Sequence, residues 1–265
     1  DAVDEAGGWL YYAASPRNAT QRHLFRVRLD GSRTEPLSSE SQGGWHEYEV
    51  SPDARWAVHT HSTFTTPPAT RLVRLADNAP VRTLADNAKL RAKLAALDRP
   101  QIEFLSVPAG GVTLDGWAIR PAKPDPAAKR PLVMHVYGEP HGQTVRDAWP
   151  GARGLWHWML AQEGFVVASV DNRGTNVPRG RAWRKAAHRR IGIAAPDEQA
   201  AAVRELLTRW PFVDPARVGS WGWSGGGSMS LNAVFRHPDL YRTAVAVAAV
   251  PDQRLYDTIY QERYM

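Results

Sequence analysis

"GSWGWSGGGSMSLNAV", residues 219–234, sets Ser224 at the centre of Gly222-Trp223-Ser224-Gly225-Gly226. This is the G-x-S-x-G pattern of a turn that joins a strand to a helix. "RVGSWGW" before the serine reads as the strand, and the apolar run from 225 to 237 reads as the helix. A turn that sharp brings neighbouring backbone together, so glycines at 222 and 226 remove side chains that would collide, and the serine sits in a strained conformation. The helix then aims its first amides at the serine, where a developing oxyanion is stabilised. A serine hydroxyl is a poor nucleophile near neutral pH, so the pattern also calls for a histidine to take its proton.

Outward from this turn, residues 100 to 250 alternate strand and helix. Strands are expected at "QIEFLSV", "TLDGWAIRP", "PLVMHVYG", "GFVVASVDNRG", "RVGSWGW" and "TAVAVAAV", and helices at about 154–163, 196–210 and 225–237. Val166 to Val170 and Ala244 to Val250 show little polar alternation, as in strands buried on both faces of a parallel sheet. An antiparallel start followed by parallel strands, with G-x-S-x-G after the fifth or sixth, is the α/β-hydrolase order.

Before residue 87 the pattern is different. "WLYYAAS", "HLFRVRLDG", "HEYEVSPDARWAVHTHS" and "RLVRLADNAPVRTL" are short runs separated by turn residues such as Asp30-Gly31 and Ser51-Pro52-Asp53. In the second run Leu24, Arg26 and Arg28 alternate with Phe25, Val27 and Leu29. This is the order of antiparallel β-propeller blades, about one blade over 45–86 and most of another over 8–38. Gly-Gly-Trp occurs at 7–9 and 43–45 but precedes different strands of the two blades, so it marks no repeat. "AKLRAKLAAL", residues 88–97, carries Leu90, Leu94 and Leu97 at helical spacing and stops at Arg99-Pro100. The expected domains are therefore 1–86, the C-terminal end of a propeller, and 87–265, the N-terminal part of an α/β-hydrolase.

Composition narrows the partners. The 265 residues are 43% hydrophobic and carry a net charge of +6 with no cysteine, which excludes disulfides and thiolate metal sites. Only 5 of the 33 basic residues are lysine, and the arginines are scattered, so nucleic acid is not the expected partner. Their one concentration, Arg173, Arg179, Arg181, Arg184, Lys185, Arg189 and Arg190, reads as a solvated face paired with acids such as Asp197 and Glu198. No apolar run approaches the roughly 18 to 20 residues of a membrane span, and the N-terminus lacks signal-peptide character. Compartment stays open, a periplasmic or secreted parent included.

The chain resembles the prolyl oligopeptidase family of serine peptidases, and within it bacterial relatives of dipeptidyl peptidase IV. The resemblance rests on "LADNAKL", "HVYGEPHGQTV", "DNRGT", "HRRIG", "FVDPARVGSWGWSGGG" and "YDTIYQERYM", in the family's order and spacing. It implies a propeller capping an α/β-hydrolase, a peptide substrate and no cofactor, and it is compatible with a homodimeric parent. It further implies Ser224 as nucleophile, with the Tyr137 hydroxyl and the Gly225 backbone N–H as oxyanion donors. Val250, Tyr256 and Tyr260 would line a pocket for a proline-like side chain. Many members carry tyrosine where this chain has Gly225, which removes an aromatic wall. Glu139 and His141 adjoin Tyr137 with no role assigned.

The base is not where the fold requires it. In α/β-hydrolases the order is Ser, Asp, His, and the one histidine after Ser224 is His237, 13 residues on. Along a helix that is roughly 20 Å, at about 1.5 Å per residue, out of reach of the hydroxyl. The acids beyond the turn, Asp239, Asp252, Asp257 and Glu262, all precede any seventh strand. The expectation is a piece of a longer peptidase that releases Xaa-Pro or Xaa-Ala dipeptides, with the sheet here ending at the strand near 244–250. An acylaminoacyl peptidase or esterase, or a non-catalytic propeller-containing binding protein, are the alternatives.

Overall fold

A computed structural model describes residues 1–123, 125 and 127–264. Met265, the last residue of "YDTIYQERYM", lies outside the described residues. The chain divides into two compact units, one of residues 1–97 with 146–154, the other of residues 98–145 with 155–265. The helix α1 (Ala88–Ala95) thus counts with the first unit.

The first unit holds two four-stranded antiparallel sheets. β1 (Ala2–Asp4), β2 (Trp9–Ala14), β3 (His23–Arg28) and β4 (Thr34–Pro36) pair in sequence order, as do β5 (Trp45–Val50), β6 (Trp56–Thr63), β7 (Thr66–Arg74) and β8 (Ala79–Ala85). Each is the up-and-down meander of a propeller blade. The first begins at Ala2, ahead of the expected residue 8. The two Gly-Gly-Trp copies do open different strands, β2 as the second of its sheet and β5 as the first of the next. Trp9, Tyr11, Leu24, Ala57, Val73 and Leu75 form a shared core. Arg26 and Arg28, on the same face of β3 as Leu24, lay their guanidinium groups over the Trp9 ring at 4.3 and 4.2 Å. Stacking on an aromatic face explains why these arginines line the side that also buries Leu24.

Four imidazoles gather in this unit. His46 and His59 are 1% and 5% exposed, with Nδ1 of His46 and Nε2 of His59 2.9 Å apart and the rings stacked at 5.1 Å. His46 Nε2 donates to the Gln42 carbonyl at 2.9 Å, so its Nδ1 accepts from His59 and both rings are neutral. His23 and His61 flank His46 at 5.1 and 4.4 Å between ring centres.

The second unit is built on one six-stranded sheet. Its strands are β9 (Gln101–Ala109), β10 (Val112–Arg120), β11 (Arg130–His135), β12 (Val166–Val170), β13 (Val213–Trp223) and β14 (Thr243–Val247), in the spatial order β14-β13-β11-β12-β10-β9. β9, β10 and β12 pair antiparallel, and β12, β11, β13 and β14 pair parallel. This is the α/β-hydrolase sheet, with the exchange of its third and fourth strands. The helices are α2 (Gly151–Gln162), whose residues up to Gly154 count with the first unit, α3 (Gly180–Lys185), α4 (Ala194–Arg209), α5 (Gly225–Arg236) and α6 (Thr258–Tyr264). β12 is buried at every position, as its unbroken apolar run requires. α4 buries Ala200, Ala202, Val203 and Leu206 completely, and each such Val or Leu contributes roughly 1.5–3 kcal/mol of transfer free energy.

β14 corrects one expectation. Its apolar run predicts burial on both faces, yet Val245 is 56% exposed, because β14 is the edge of the sheet among the described residues and has a partner on one side alone.

Candidate active site

Ser224 occupies the turn between β13 and α5 with φ 56° and ψ −118°. Its N–H donates to the Val247 carbonyl at 2.9 Å and its carbonyl accepts from the Ser228 N–H at 3.0 Å. Those two bonds tie the residue to β14 on one side and to the first helical turn on the other. A left-handed φ on a non-glycine residue costs on the order of 1–3 kcal/mol and is held by surrounding structure. The flanking glycines serve proximity. A Cβ on Gly222 would overlap the Gly226 and Val136 carbonyl oxygens, and one on Gly226 would overlap Val136 again. Ser224 is half-buried, and no described residue hydrogen-bonds to its Oγ.

Tyr137 lies in the loop after β11, which the Val136 N–H anchors to the Trp221 carbonyl at 3.0 Å. The loop is held from beneath. Asn172 Nδ2 donates to the Gly138 carbonyl at 3.1 Å, and Gln199 Nε2 donates to Asn172 Oδ1 at 3.0 Å. Further along, the buried Asp171 carboxyl accepts from the Thr144 and Val145 N–H groups, each at 2.9 Å, and from the Thr144 hydroxyl at 2.8 Å. Burial outweighs those donors and pushes the Asp171 pKa up to about 6. The Tyr137 phenol is half-buried, and burial together with the charge of Glu139 raises its pKa. It is therefore kept protonated, as a hydrogen-bond donor must be.

Two of the other expected residues, Gly225 and Tyr260, meet the same loop at Glu139. Gly225 opens α5, and its missing Cβ leaves the space in which the Glu139 carboxyl lies. Tyr260 donates its hydroxyl to Glu139 Oε2 at 2.5 Å. The Tyr256 and Tyr260 rings meet edge to face at 5.4 Å, and Tyr264 tilts against Tyr260 at 4.8 Å. Val250 is fixed by its N–H to Ser228 Oγ at 3.0 Å, with that hydroxyl donating to the Val250 carbonyl at 2.9 Å. His237 stands at the far end of α5, where its Nε2 meets Asp197 Oδ1 at 3.2 Å. It is not brought to Ser224.

Glu139 is the residue that sequence reasoning left without a role. Its side chain is 5% exposed, and burial raises its pKa while the Tyr260 hydroxyl opposes the shift. Nothing in the sequence marks it, since its partner Tyr260 is 121 positions away. The basic concentration is only partly a paired face. Arg173 Nε donates to Glu198 at 2.6 Å, and Arg179 pairs with Asp115 at 2.8 Å. Asp197 pairs instead with Arg236 at 3.1 Å. Arg184, Lys185, His188 and Arg263 line a cavity of about 410 Å³ with Asn176 and Tyr264. Among the described residues no group of three or more histidine or acidic side chains could hold a metal, and no helix is long and apolar enough to cross a membrane.

Comparison with known proteins bears on this arrangement directly. Residues 156–265, from α2 through the serine turn to the tyrosine helix, match the model of the prolyl oligopeptidase family, and residues 1–68 match that of the dipeptidyl peptidase IV N-terminal region. The chain belongs to the prolyl oligopeptidase family. Among curated members it is 34% identical to a probable dipeptidyl-aminopeptidase B of Emericella nidulans over 266 aligned positions, covering 100% of this chain and 29% of that one. It is 31% identical to dipeptidyl-aminopeptidase B of Aspergillus niger with the same coverage. The chain therefore spans 29% of the length of these family members. Its fold superposes on the crystal structure of Porphyromonas gingivalis dipeptidyl peptidase 4 with a TM-score of 0.91 at 33% identity, over 98% of this chain and 36% of that one. A putative dipeptidyl aminopeptidase IV from Bacteroides ovatus gives 0.84 at 28% identity, over 99% and 36%.

Proposed function

We propose that the chain is the serine-bearing segment of a peptidase that releases N-terminal Xaa-Pro or Xaa-Ala dipeptides, with residues 1–86 ending a propeller and 87–265 beginning the catalytic domain. The observation that carries this is Ser224, held at φ 56° between strand and helix with its hydroxyl bonded to no described residue. Ser224 Oγ attacks the scissile carbonyl and its proton passes to a histidine supplied by a further segment of a longer chain. The Gly225 N–H and the Tyr137 hydroxyl receive the negative charge that develops on the carbonyl oxygen. Collapse of the tetrahedral intermediate expels the protonated amine and leaves an acyl-serine, which water hydrolyses to free the dipeptide. Val250, Tyr256 and Tyr260 enclose the residue on the acyl side of that bond. The raised pKa of Tyr137 supports its part, because a phenol that stays protonated donates without bringing a charge.

The test is hydrolysis of Gly-Pro and Ala-Pro reporters by the full-length protein that carries this segment. Ser224→Ala should lower kcat/KM by a factor on the order of 10⁴ or more. The 265-residue chain alone should be nearly inactive and regain Ser224-dependent turnover when co-expressed with the C-terminal remainder. Full activity from the 265 residues alone would place the base among the histidines present and refute the missing-segment reading. Preference for blocked acyl-alanine or ester reporters would favour an acylaminoacyl peptidase or esterase instead.

A further inference from the structure

The Glu139 carboxyl is enclosed by three parts of the candidate site. Tyr260 donates to its Oε2 at 2.5 Å. Gly225, next to the nucleophile, comes so close that a Cβ there would overlap Cδ and Oε2 of Glu139. The Tyr137 phenol lies within reach of the carboxylate's field. The side chain is 5% exposed, and no described residue donates to its second oxygen, Oε1. A ligand that displaces solvent from Oε1 without donating to it incurs a cost of about 1–3 kcal/mol, which a ligand hydroxyl would avoid. Oε1 is not among the polar atoms sealed from solvent without a partner, so a ligand can reach it.

We propose that Glu139 is a specificity-determining residue of the Ser224 site: its carboxyl forms a hydrogen-bond-accepting wall where Gly225 leaves room, and it favours substrates whose acyl-side residue carries a hydroxyl donor. This rests on the peptidase reading of Ser224. The side chain must be short, because the carboxyl lies against the residue that follows the nucleophile and the tyrosine rings close the other side. Hydroxyproline, serine and threonine satisfy that limit, and lysine does not. A purely hydrocarbon side chain leaves Oε1 unpaired, whereas a hydroxyl pairs it. Sites that present an unpaired polar group discriminate more strongly than apolar pockets do by size.

The experiment compares kcat/KM for Ala-Pro and Ala-(4-hydroxyproline) coumarin reporters in the full-length protein. Glu139→Leu should lower the hydroxyproline-to-proline ratio by about 10-fold or more, the factor that corresponds to one hydrogen bond of about 1.4 kcal/mol. Glu139→Gln, which keeps a carbonyl acceptor and a partner for Tyr260, should retain most of the preference. Should Glu139→Leu fail to accumulate as soluble protein, Glu139→Ala carries the same expectation. An unchanged ratio with turnover still dependent on Ser224 overturns the assignment of Glu139 and leaves the peptidase reading standing. Turnover that survives Ser224→Ala, or none of either reporter by the unsubstituted protein, overturns both.

Discussion

Gly222 and Tyr137 show two ways in which single residues serve the serine turn. Gly222 matters by what it lacks, since any side chain would run into the Gly226 and Val136 carbonyl oxygens, which are backbone and cannot swing aside. Gly222→Ala should therefore cost about 3 kcal/mol or more, or prevent folding. A melting curve indistinguishable from that of the unsubstituted chain would contradict the close approach. Tyr137→Phe keeps the ring and removes the donor. In the full-length protein it should lower kcat by about 10²–10³ with little change in folding, and an unchanged kcat would dismiss the phenol from the oxyanion site. The residues legible from sequence are those with a local signature. Ser224 and Gly225 sit in a five-residue pattern whose sterics can be read without a fold. Glu139 has no such pattern: its meaning comes from Tyr260 and Gly225, both far away in sequence.

At the scale of elements, the strands declare themselves because period-two alternation and unbroken apolar runs reflect how many faces each strand buries. β14 misleads because its apolar run says what the strand can cover and not whether a neighbour is there. α3 leaves no trace in the pattern: over Gly180–Lys185 only Trp183 is buried, too little for any periodicity to appear. The two acids at the start of α4 illustrate how burial decides energy. Glu198, with its side chain 8% exposed, accepts from the Arg173 N–H at 2.8 Å and from its Nε at 2.6 Å. Asp197, 48% exposed, pairs with Arg236 and His237 at the end of α5. Glu198→Ala should cost roughly 2–3 kcal/mol because it strands a partly buried N–H as well as breaking a charge-assisted bond. Asp197→Ala should cost under about 1 kcal/mol and less in high salt. Chemical denaturation of the two variants side by side measures the difference, and equal losses would show that exposure does not govern these pairs.

At the scale of the whole molecule, acid acts on the two units in opposite senses. His46 and His59 are neutral when folded, their pKa values lowered to about 4 and about 3, chiefly by burial and then by neighbouring imidazoles and, for His59, Arg71. Below the ordinary value of 6.5 the unfolded chain binds the extra protons, so the first unit loses stability as pH falls from 6.5 toward 4. Each tenfold difference in proton affinity between the folded and unfolded chain corresponds to about 1.4 kcal/mol. Asp171 works the other way. Its pKa is raised from 3.8 to about 6, so across that window the folded state holds the extra proton and the second unit gains from acid at this residue. Hydrogen-exchange protection, corrected for the slower intrinsic exchange at lower pH, should therefore fall more in peptides over 45–63 than over 166–176 on moving from about pH 7.5 to about pH 5. A uniform response, or the reverse order, would refute the assignment of these groups.

The route of the backbone constrains how the molecule can be taken apart. Residues 146–154 leave the second unit, join the first, and return, and within the first unit the Asp147 carboxylate accepts from the Phe64 N–H at 2.8 Å while the Asp147 N–H donates to the Thr20 carbonyl at 2.7 Å. The peptide therefore passes from one unit to the other three times, near 97, 145 and 154. A protease that nicks the chain between Leu97 and Asp98 leaves residues 1–97 with no covalent link to the rest, held within the first unit by non-covalent contacts to 146–154 such as those of Asp147. Likewise, no single contiguous gene segment encodes either unit alone: residues 98–265 expressed by themselves would carry an orphaned excursion whose Asp147 has lost its partners Thr20, Gln21 and Phe64.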